Sequence, residues 1–240
     1  MSLSLHAPPP FRAILFDLDG TLLDSNMDVF LPHYLRLLSA RVSHILPPKE
    51  FIAHLLAATD AMVANDGRAT NEAVFAAAFF PLAGHPRAEL EPIFREFYAR
   101  DFPTLAQHTR RKPEARRVVQ RAFDLGYAVA IATHPVFPAT AVQQRLVWAD
   151  VADFPYRWIT TYENSRSAKP HRRYFQEICA QIGHAPEQCL MVGDEAMDMA
   201  AAATGMTTFL APSASTRLDD ATPEPTHRGT LTDLVALLER

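Results

Sequence analysis

The stretch Ala13-Ile14-Leu15-Phe16-Asp17-Leu18-Asp19-Gly20-Thr21-Leu22-Leu23 begins with an apolar run and then delivers two carboxylates and a glycine. A short, uninterrupted apolar run that ends at a glycine reads as a strand buried on both faces, the kind found in parallel sheets. In open parallel α/β sheets, ligands bind beyond the carboxyl ends of the strands. Acidic side chains at such a tip therefore read as a site, in preference to a solvated polar face.

Comparable runs recur at Arg12 to Phe16, Ala128 to Thr133, Trp158 to Thr161, Leu190 to Val192 and Thr207 to Leu210. Helical periodicity fills most of the intervals. From about Pro113 to Leu125, Val118, Val119, Ala122 and Leu125 share one face, and Gly126 stands where a left-handed cap belongs. From Arg172 to Ile182, Phe175, Ile178, Cys179 and Ile182 point one way, and Gly183 marks the stop. A third helix begins after Asp194 and carries Met197 and the close-packing residues Ala200, Ala201 and Ala203. Ala211 to Gly229, with Pro212, Pro223 and Pro225, reads as a surface loop before a closing helix from Leu231 to Glu239. Alternating strands and helices predict an α/β fold with a doubly wound, Rossmann-like parallel sheet.

One interval breaks the alternation. Between Asp24 and about Gln107 no strand pattern is evident, and Val29 to Val42, Phe51 to Val63, Glu72 to Phe80 and Glu89 to Tyr98 read as helices. The expectation is an inserted all-helical cap over residues 25–107 on a core of residues 1–24 and 108–240. Such a cap would exclude water from the end of the first strand. A helical layer packed flat against the sheet is the alternative.

Composition narrows the function. The chain has 240 residues, of which 48% are hydrophobic and 21% charged, ordinary values for a globular protein with a sizeable core. A net charge of −4 provides no broad basic field, so neither nucleic acid nor an anionic membrane is an expected partner. No segment approaches the ~18 consecutive apolar residues of a membrane span. Cys179 and Cys189 lie in apolar contexts and are expected to be buried thiols, which fits a reducing cytoplasm. Met1 to Pro10 lacks the basic start and apolar stretch of a secretory signal and is expected to be a frayed leader.

The chemistry-bearing residues fall at strand ends. Asp17 and Asp19 follow the first strand and Thr133 and His134 the second; Lys169-Pro170 lies in the loop after the third, and Gly193-Asp194 follows the fourth. Asp198 stands one helical turn beyond Asp194, directed back towards it. If the strands are neighbours, these groups converge. Clustered carboxylates repel unless a cation joins them, and oxygen donors alone suit Mg2+ better than zinc. A phosphate brought to that ion would find donors in Thr133, Lys169 and backbone N–H groups near Gly20 and His134. The inferred chemistry is phosphoryl transfer from a small phosphorylated substrate.

In this order and placement, Asp17-Leu18-Asp19-Gly20-Thr21, Thr133, Lys169-Pro170 and Gly193-Asp194-Glu195-Ala196-Met197-Asp198 resemble the motifs of the haloacid dehalogenase superfamily of hydrolases, over Phe11 to Leu210. The resemblance implies that Asp17 is the nucleophile and forms an aspartyl-phosphate. It implies that Asp19 protonates the leaving oxygen, deprotonates the hydrolytic water and lends its backbone carbonyl to the metal. By the same likeness Asp17 and Asp194 hold Mg2+, with Asp198 acting through water or by orienting Lys169, and Thr133 and Lys169 hold the phosphoryl oxygens. Members that dehalogenate lack a carboxylate at the Asp19 position, so Asp19 implies a phosphatase or a phosphomutase. The expected activity is Mg2+-dependent hydrolysis of a phosphomonoester. The alternatives are phosphotransfer to a sugar hydroxyl and a catalytically silent binding protein on the same fold.

Other conspicuous residues have plainer readings. Asp24 reads as an N-cap or hinge residue, Glu195 as a partner of a helix dipole, and His134, beside Pro135 and standing where many relatives have asparagine, as a shaper of its loop. Arg110-Arg111-Lys112 reads as a solvated helix entry, and Phe94, Phe97, Tyr98 and Phe102 as core at helical spacing. Specificity is expected from cap side chains, with His33, Tyr34, Asn65, Arg68 and Asn71 as candidates, and oligomeric state is not legible.

Overall fold

A computed structural model describes residues 11–239; the expected leader, Met1 to Pro10, lies outside them. The first apolar run forms β1 (Ala13–Phe16), after which Leu22 and Leu23 both donate to the carbonyl of Leu18 at 2.9 Å and turn the chain sharply. A short β2 (Leu23–Ser25) leads into four helices, α1 (Met27–Val42), α2 (Pro48–Val63), α3 (Asn71–Ala83) and α4 (Arg87–Arg100). A 3-10 segment, Phe102–His108, returns the chain to β3 (Thr109–Arg111), which pairs antiparallel with β2. Helix and strand then alternate: α5 (Pro113–Asp124), β4 (Ala128–Ile131), α6 (Ala139–Trp148), β5 (Trp158–Ile159) and α7 (Arg172–Ile182). The chain closes with β6 (Cys189–Gly193), α8 (Ala196–Met199), β7 (Thr207–Leu210), β8 (His227–Arg228) and α9 (Leu231–Leu238).

The main sheet is parallel throughout, in the order β5-β4-β1-β6-β7-β8. From β1 the chain builds outward on one side through β4 and β5, then crosses back to build β6, β7 and β8 on the other. The order therefore reverses between β1 and β6, where a ligand crevice opens in such sheets. Helices cover both faces, which is why β1 is apolar at every position. Ile14 and Phe16 pack with Val129, Ile131 and Val192 against α5, α6 and α9, while Ala13 and Leu15 face Tyr174, Phe175 and Ile178 of α7. Each of the larger aliphatic and phenylalanine side chains, fully buried, contributes roughly 1.5 to 3 kcal/mol.

The helices between β2 and β3 enclose an apolar cluster of their own around Phe30, Phe51, Phe79, Phe97 and Phe102. Edge-to-face pairs lock it, Phe51 with Phe79 at 5.8 Å and Phe97 with Phe102 at 6.3 Å. Asn71 ties this layer to the sheet loops: its Nδ2 donates to the carbonyls of Pro135 at 3.0 Å and Ser167 at 3.2 Å.

Some elements depart from the sequence reading, which has no counterpart of β2, β3, α6 or β8. The first two strands are three residues each, too short to display alternation. In α6 the apolar face of Ala141, Val142 and Leu146 is interrupted by Arg145, which is buried with them. The strands expected to reach Thr133 and Thr161 stop at Ile131 and Ile159, where the chain leaves the ladder to shape loops. The helix after Asp194 gives way after one turn to a 3-10 segment, Ala200–Thr204. The cap of α1 is Asn26, whose side chain accepts from the Asp28 N–H at 2.9 Å; Asp24 instead sits exposed in β2 opposite Arg110. Among the described residues no helix is long and apolar enough to cross a membrane.

Candidate active site

Because β1 and β6 are hydrogen-bonded neighbours, the residues that follow them emerge side by side, and the Asp17 N–H donates to the Val192 carbonyl at 2.8 Å. Carboxylate oxygens of Asp17, Asp194 and Asp198 lie within 4.8 Å of one another, all three residues buried. Lys169 Nζ, on a side chain 1% exposed, donates to Oδ1 of Asp17 and to Oδ1 of Asp198, both at 2.6 Å. Burial alone would lower this ammonium's pKa, but the two carboxylates raise it above its ordinary value.

The two β6-side carboxylates are fixed from several directions. Asp194 accepts from Thr21 Oγ1 at 3.2 Å and from Ser213 Oγ at 2.6 Å. Asp198 Oδ2 accepts from the backbone N–H groups of Asp194 at 3.2 Å and Glu195 at 3.1 Å. Burial and the charge of Asp17 push the Asp194 pKa up. Burial also raises Asp198, with Lys169 opposing and Asp17 adding to the rise. Of the three crowded carboxylates, Asp17 and Asp198 touch the Lys169 ammonium and Asp194 has only hydroxyl donors, and an all-oxygen donor set short of positive charge is what a hard divalent cation completes.

Space for the cluster depends on Gly20, whose φ is +83° and where a Cβ would lie 2.6 Å from Asp194 Cγ. The Gly20 N–H donates to the Leu23 carbonyl at 2.8 Å. This one of the N–H groups near Gly20, among which the sequence reading expects phosphate donors, is therefore engaged by the turn. The Gly20 carbonyl accepts from Lys112 Nζ. Lys112 is thus half-buried at the site, its pKa lowered by burial with Asp194 opposing; Arg110 and Arg111 are exposed at the approach to α5, as expected, but are paired in β3.

Asp19 stands outside the triad. Its Oδ1 accepts from Ser25 Oγ at 3.0 Å, and its Oδ2 accepts from the guanidinium of Arg145 on α6. Arg145 is 1% exposed, its guanidinium carbon 4.6 Å from the centre of the Phe137 ring, and its Nη2 has no hydrogen-bond partner among the described residues. Burial raises the Asp19 pKa and the Arg145 charge opposes the rise. Ser25 directly precedes Asn26, the cap of α1, so Asp19 is held by the entry to the helical layer on one side and by α6 on the other.

Thr133 follows β4, and its carbonyl accepts from Tyr174 OH at 2.7 Å and Thr160 Oγ1 at 2.8 Å, which fixes the loop. His134 is half-buried with an unpartnered Nδ1 among the described residues. Burial, then Lys169 and His171, lower its pKa to about 4.

A cavity of about 550 Å³ lies between these groups and the helices α1 to α4, with Asp17, Asp19, Thr133, Lys169, Asp194 and Asp198 in its wall. Of the specificity candidates only Tyr34 lines it, with its OH 2.9 Å from that of Tyr98. Asn65 donates to Asn71 Oδ1 at 2.8 Å, His33 stacks on His108 at 3.7 Å, and Arg68 pairs with Asp66 at 3.1 Å. Phe97 and Phe102 are fully buried core, whereas Phe94 and Tyr98 also face the cavity. Arg145, Lys112 and Ser213 are the site residues that the sequence reading misses. An arginine on the apolar face of a helix is the signal that points to the first; Ser213 carries none.

A family model of haloacid dehalogenase-like hydrolases matches residues 11–205. A phosphoglycolate phosphatase of Xanthomonas campestris pv. campestris is 32% identical over 197 residues, covering 81% of this chain and 80% of that protein. An N-acetylmuramic acid 6-phosphate phosphatase of Pseudomonas aeruginosa is 28% identical over 193 residues, covering 78% of this chain and 75% of that protein. Among solved structures, an HAD phosphatase from Thermococcus onnurineus shares the fold, with a TM-score of 0.62 at 19% identity over 95% of this chain and 98% of that one. On the extent of the family match and the 32% identity to a relative matched over 80% of its length, this chain belongs to the haloacid dehalogenase-like hydrolases.

Proposed function

We propose that the chain is a Mg2+-dependent phosphomonoester hydrolase acting on a small phosphorylated metabolite through an aspartyl-phosphate. One observation carries the reading: a single strand tip presents two differently held aspartates. Asp17 is tied to Lys169 and clustered with Asp194 and Asp198, whereas Asp19 is kept apart by Ser25 and Arg145. The relatives' phosphatase names support the same reading.

Held by Asp17, Asp194, Asp198 and the Asp19 carbonyl, Mg2+ would supply charge that offsets the repulsion between carboxylate and phosphate. Lys169 orients the Asp17 carboxylate and offers charge to one phosphoryl oxygen, while Thr133 donates to another. Asp17 attacks phosphorus in line, and the departing oxygen takes its proton from Asp19. Asp19 then accepts a proton from the water that cleaves the acyl-phosphate. A pKa raised by burial and restrained by Arg145 suits a group that must both give and take a proton. Residues 25–107 act as a cap that limits bulk water over a core of the remaining chain. The free thiols Cys179 and Cys189, with Sγ atoms 3.5 Å apart, fit a cytoplasmic setting.

Phosphate release from a panel of phosphomonoesters tests the proposal. Turnover requires Mg2+ and stops with EDTA, and Asp17→Asn lowers kcat by at least about a thousandfold. No release from any ester with Mg2+ present rejects the hydrolase reading. Labelled phosphate that moves between sugar positions without free phosphate makes the chain a transferase.

A further inference from the structure

We infer that the substrate's leaving group is a bulky alkyl or aryl group without a second charge, seated in the apolar part of the cavity; this rests on the phosphatase reading and narrows its substrate class. The cavity has two unlike ends. Where it meets the sheet it presents carboxylates, Lys169 and Thr133. Away from the sheet its wall is built by Leu31, Leu35, Leu55, Phe75, Phe80 and Phe94, contributed by all four helices between β2 and β3. Leu55 belongs to the buried cluster of those helices and the other five pack against it, half-buried, with their remaining surface on the cavity. A space of about 550 Å³ lies within the range of roughly 300 to 1,000 Å³ that holds drug-sized ligands, far beyond the needs of a two-carbon leaving group.

The placement of cations decides the question of a second charge. In the wall, Arg87 is engaged by Glu72 at 2.5 Å and by Glu91 at 3.0 and 3.2 Å, a trio with an excess of negative charge. Arg95, also in the lining, is exposed to solvent. Arg145 pairs through Nη1 with Asp19, which matches its charge, and its Nη2 is buried. The hydroxyls of Tyr34 and Tyr98 share one hydrogen bond at 2.9 Å, which leaves one neutral O–H donor and no cation there. A carboxylate on the leaving group would be desolvated against carbon, whereas each methylene removed from water there gains roughly fourfold in affinity.

The inference is tested by kcat/KM, with Mg2+, for ethyl, butyl, hexyl and octyl phosphate, for 1-naphthyl phosphate and for 2-phosphoglycolate. The expected result is a rise on the order of tenfold for each two methylenes up to hexyl. 2-Phosphoglycolate falls below ethyl phosphate, and 1-naphthyl phosphate ranks with hexyl. Leu35→Asn and, independently, Leu31→Asn flatten the rise. A flat series, or 2-phosphoglycolate preferred to butyl phosphate, overturns the inference. Calorimetric binding of hexylphosphonate and ethylphosphonate separates the two readings, because it needs no turnover. If every ester is inert but hexylphosphonate binds at least tenfold tighter, the phosphatase reading falls and the apolar chamber stands. Equal or absent binding of the two phosphonates overturns the chamber.

Discussion

Arg145 and Asp19, 126 residues apart in sequence, form a buried ion pair at the edge of the carboxylate cluster. The two side chains are 1% and 14% exposed, so water screens the pair poorly. Arg145→Met keeps most of the stem and removes the charge, leaving Asp19 with Ser25 alone on its side chain. Losing one member of such a buried pair costs about 3 to 5 kcal/mol, whereas neutralising both members removes the unpaired charge. Denaturant unfolding of Arg145→Met, Asp19→Asn and the double variant is expected to show a coupling of about 1 to 3 kcal/mol. Additive losses would mean that the two groups do not support each other.

The same pair marks the boundary of what the sequence discloses. Asp17, Thr133, Lys169 and Asp194 are legible because each follows a strand or lies in the loop after one, and parallel neighbours deliver their ends to one edge. Arg145 is not legible as a partner, since its meeting with Asp19 depends on how α6 packs across the β1 turn. The β2–β3 pair is hidden by its length, and the loss of the Gly20 N–H to Leu23 is a matter of turn geometry. Residues of α1 to α4 that face the cavity are illegible for another reason. Helix α3 reads Asn-Glu-Ala-Val-Phe-Ala-Ala-Ala-Phe-Phe-Pro-Leu-Ala, apolar nearly all round, so periodicity cannot assign its inner face.

Metal binding is expected to show itself in stability, without reference to turnover. A cation that binds only the folded chain stabilises it by about 2.7 kcal/mol at a hundredfold excess over Kd. Mg2+ should raise Tm, and EDTA should reverse the rise. In Asp194→Asn the rise should vanish. That variant in EDTA should melt no lower than wild type, because it removes a charge from a crowded group whose burial already raises the Asp194 pKa. A wild-type Tm indifferent to Mg2+ would count against the triad as a metal site.

His134 gives a pH dependence with a definite sign. Its folded pKa of about 4 lies below the unfolded value of about 6.5, so on acidification the unfolded chain takes up this proton first. The contribution is full above the unfolded value and is lost as the pH falls from there towards about 4. The raised pKa values of Asp194 and Asp198 act in the opposite sense, so wild type must be compared with His134→Gln. The wild-type advantage in unfolding free energy should shrink by about 2 kcal/mol between about pH 7 and pH 4.5. A difference that does not vary with pH would show that the imidazole is not held neutral by its surroundings.

Gly20 tests whether backbone shape and metal affinity are one property here. Alanine at this position meets two obstacles, a φ of +83° and an overlap in which its Cβ would stand 2.6 Å from Asp194 Cγ. Strain at positive φ costs on the order of 1 kcal/mol or more and acts on stability alone. The overlap acts on Asp194, which is pinned by Thr21 and by Ser213 at 2.6 Å and can give way only by breaking those bonds. Gly20→Ala should therefore lose about 1 to 3 kcal/mol of stability and also bind Mg2+ at least tenfold more weakly in a thermal-shift titration. Ser213→Ala, which frees one carboxylate oxygen without intruding, should weaken Mg2+ less. If Gly20→Ala loses stability but keeps the wild-type Mg2+ titration, Asp194 can move without leaving the ion, and the glycine serves the turn alone.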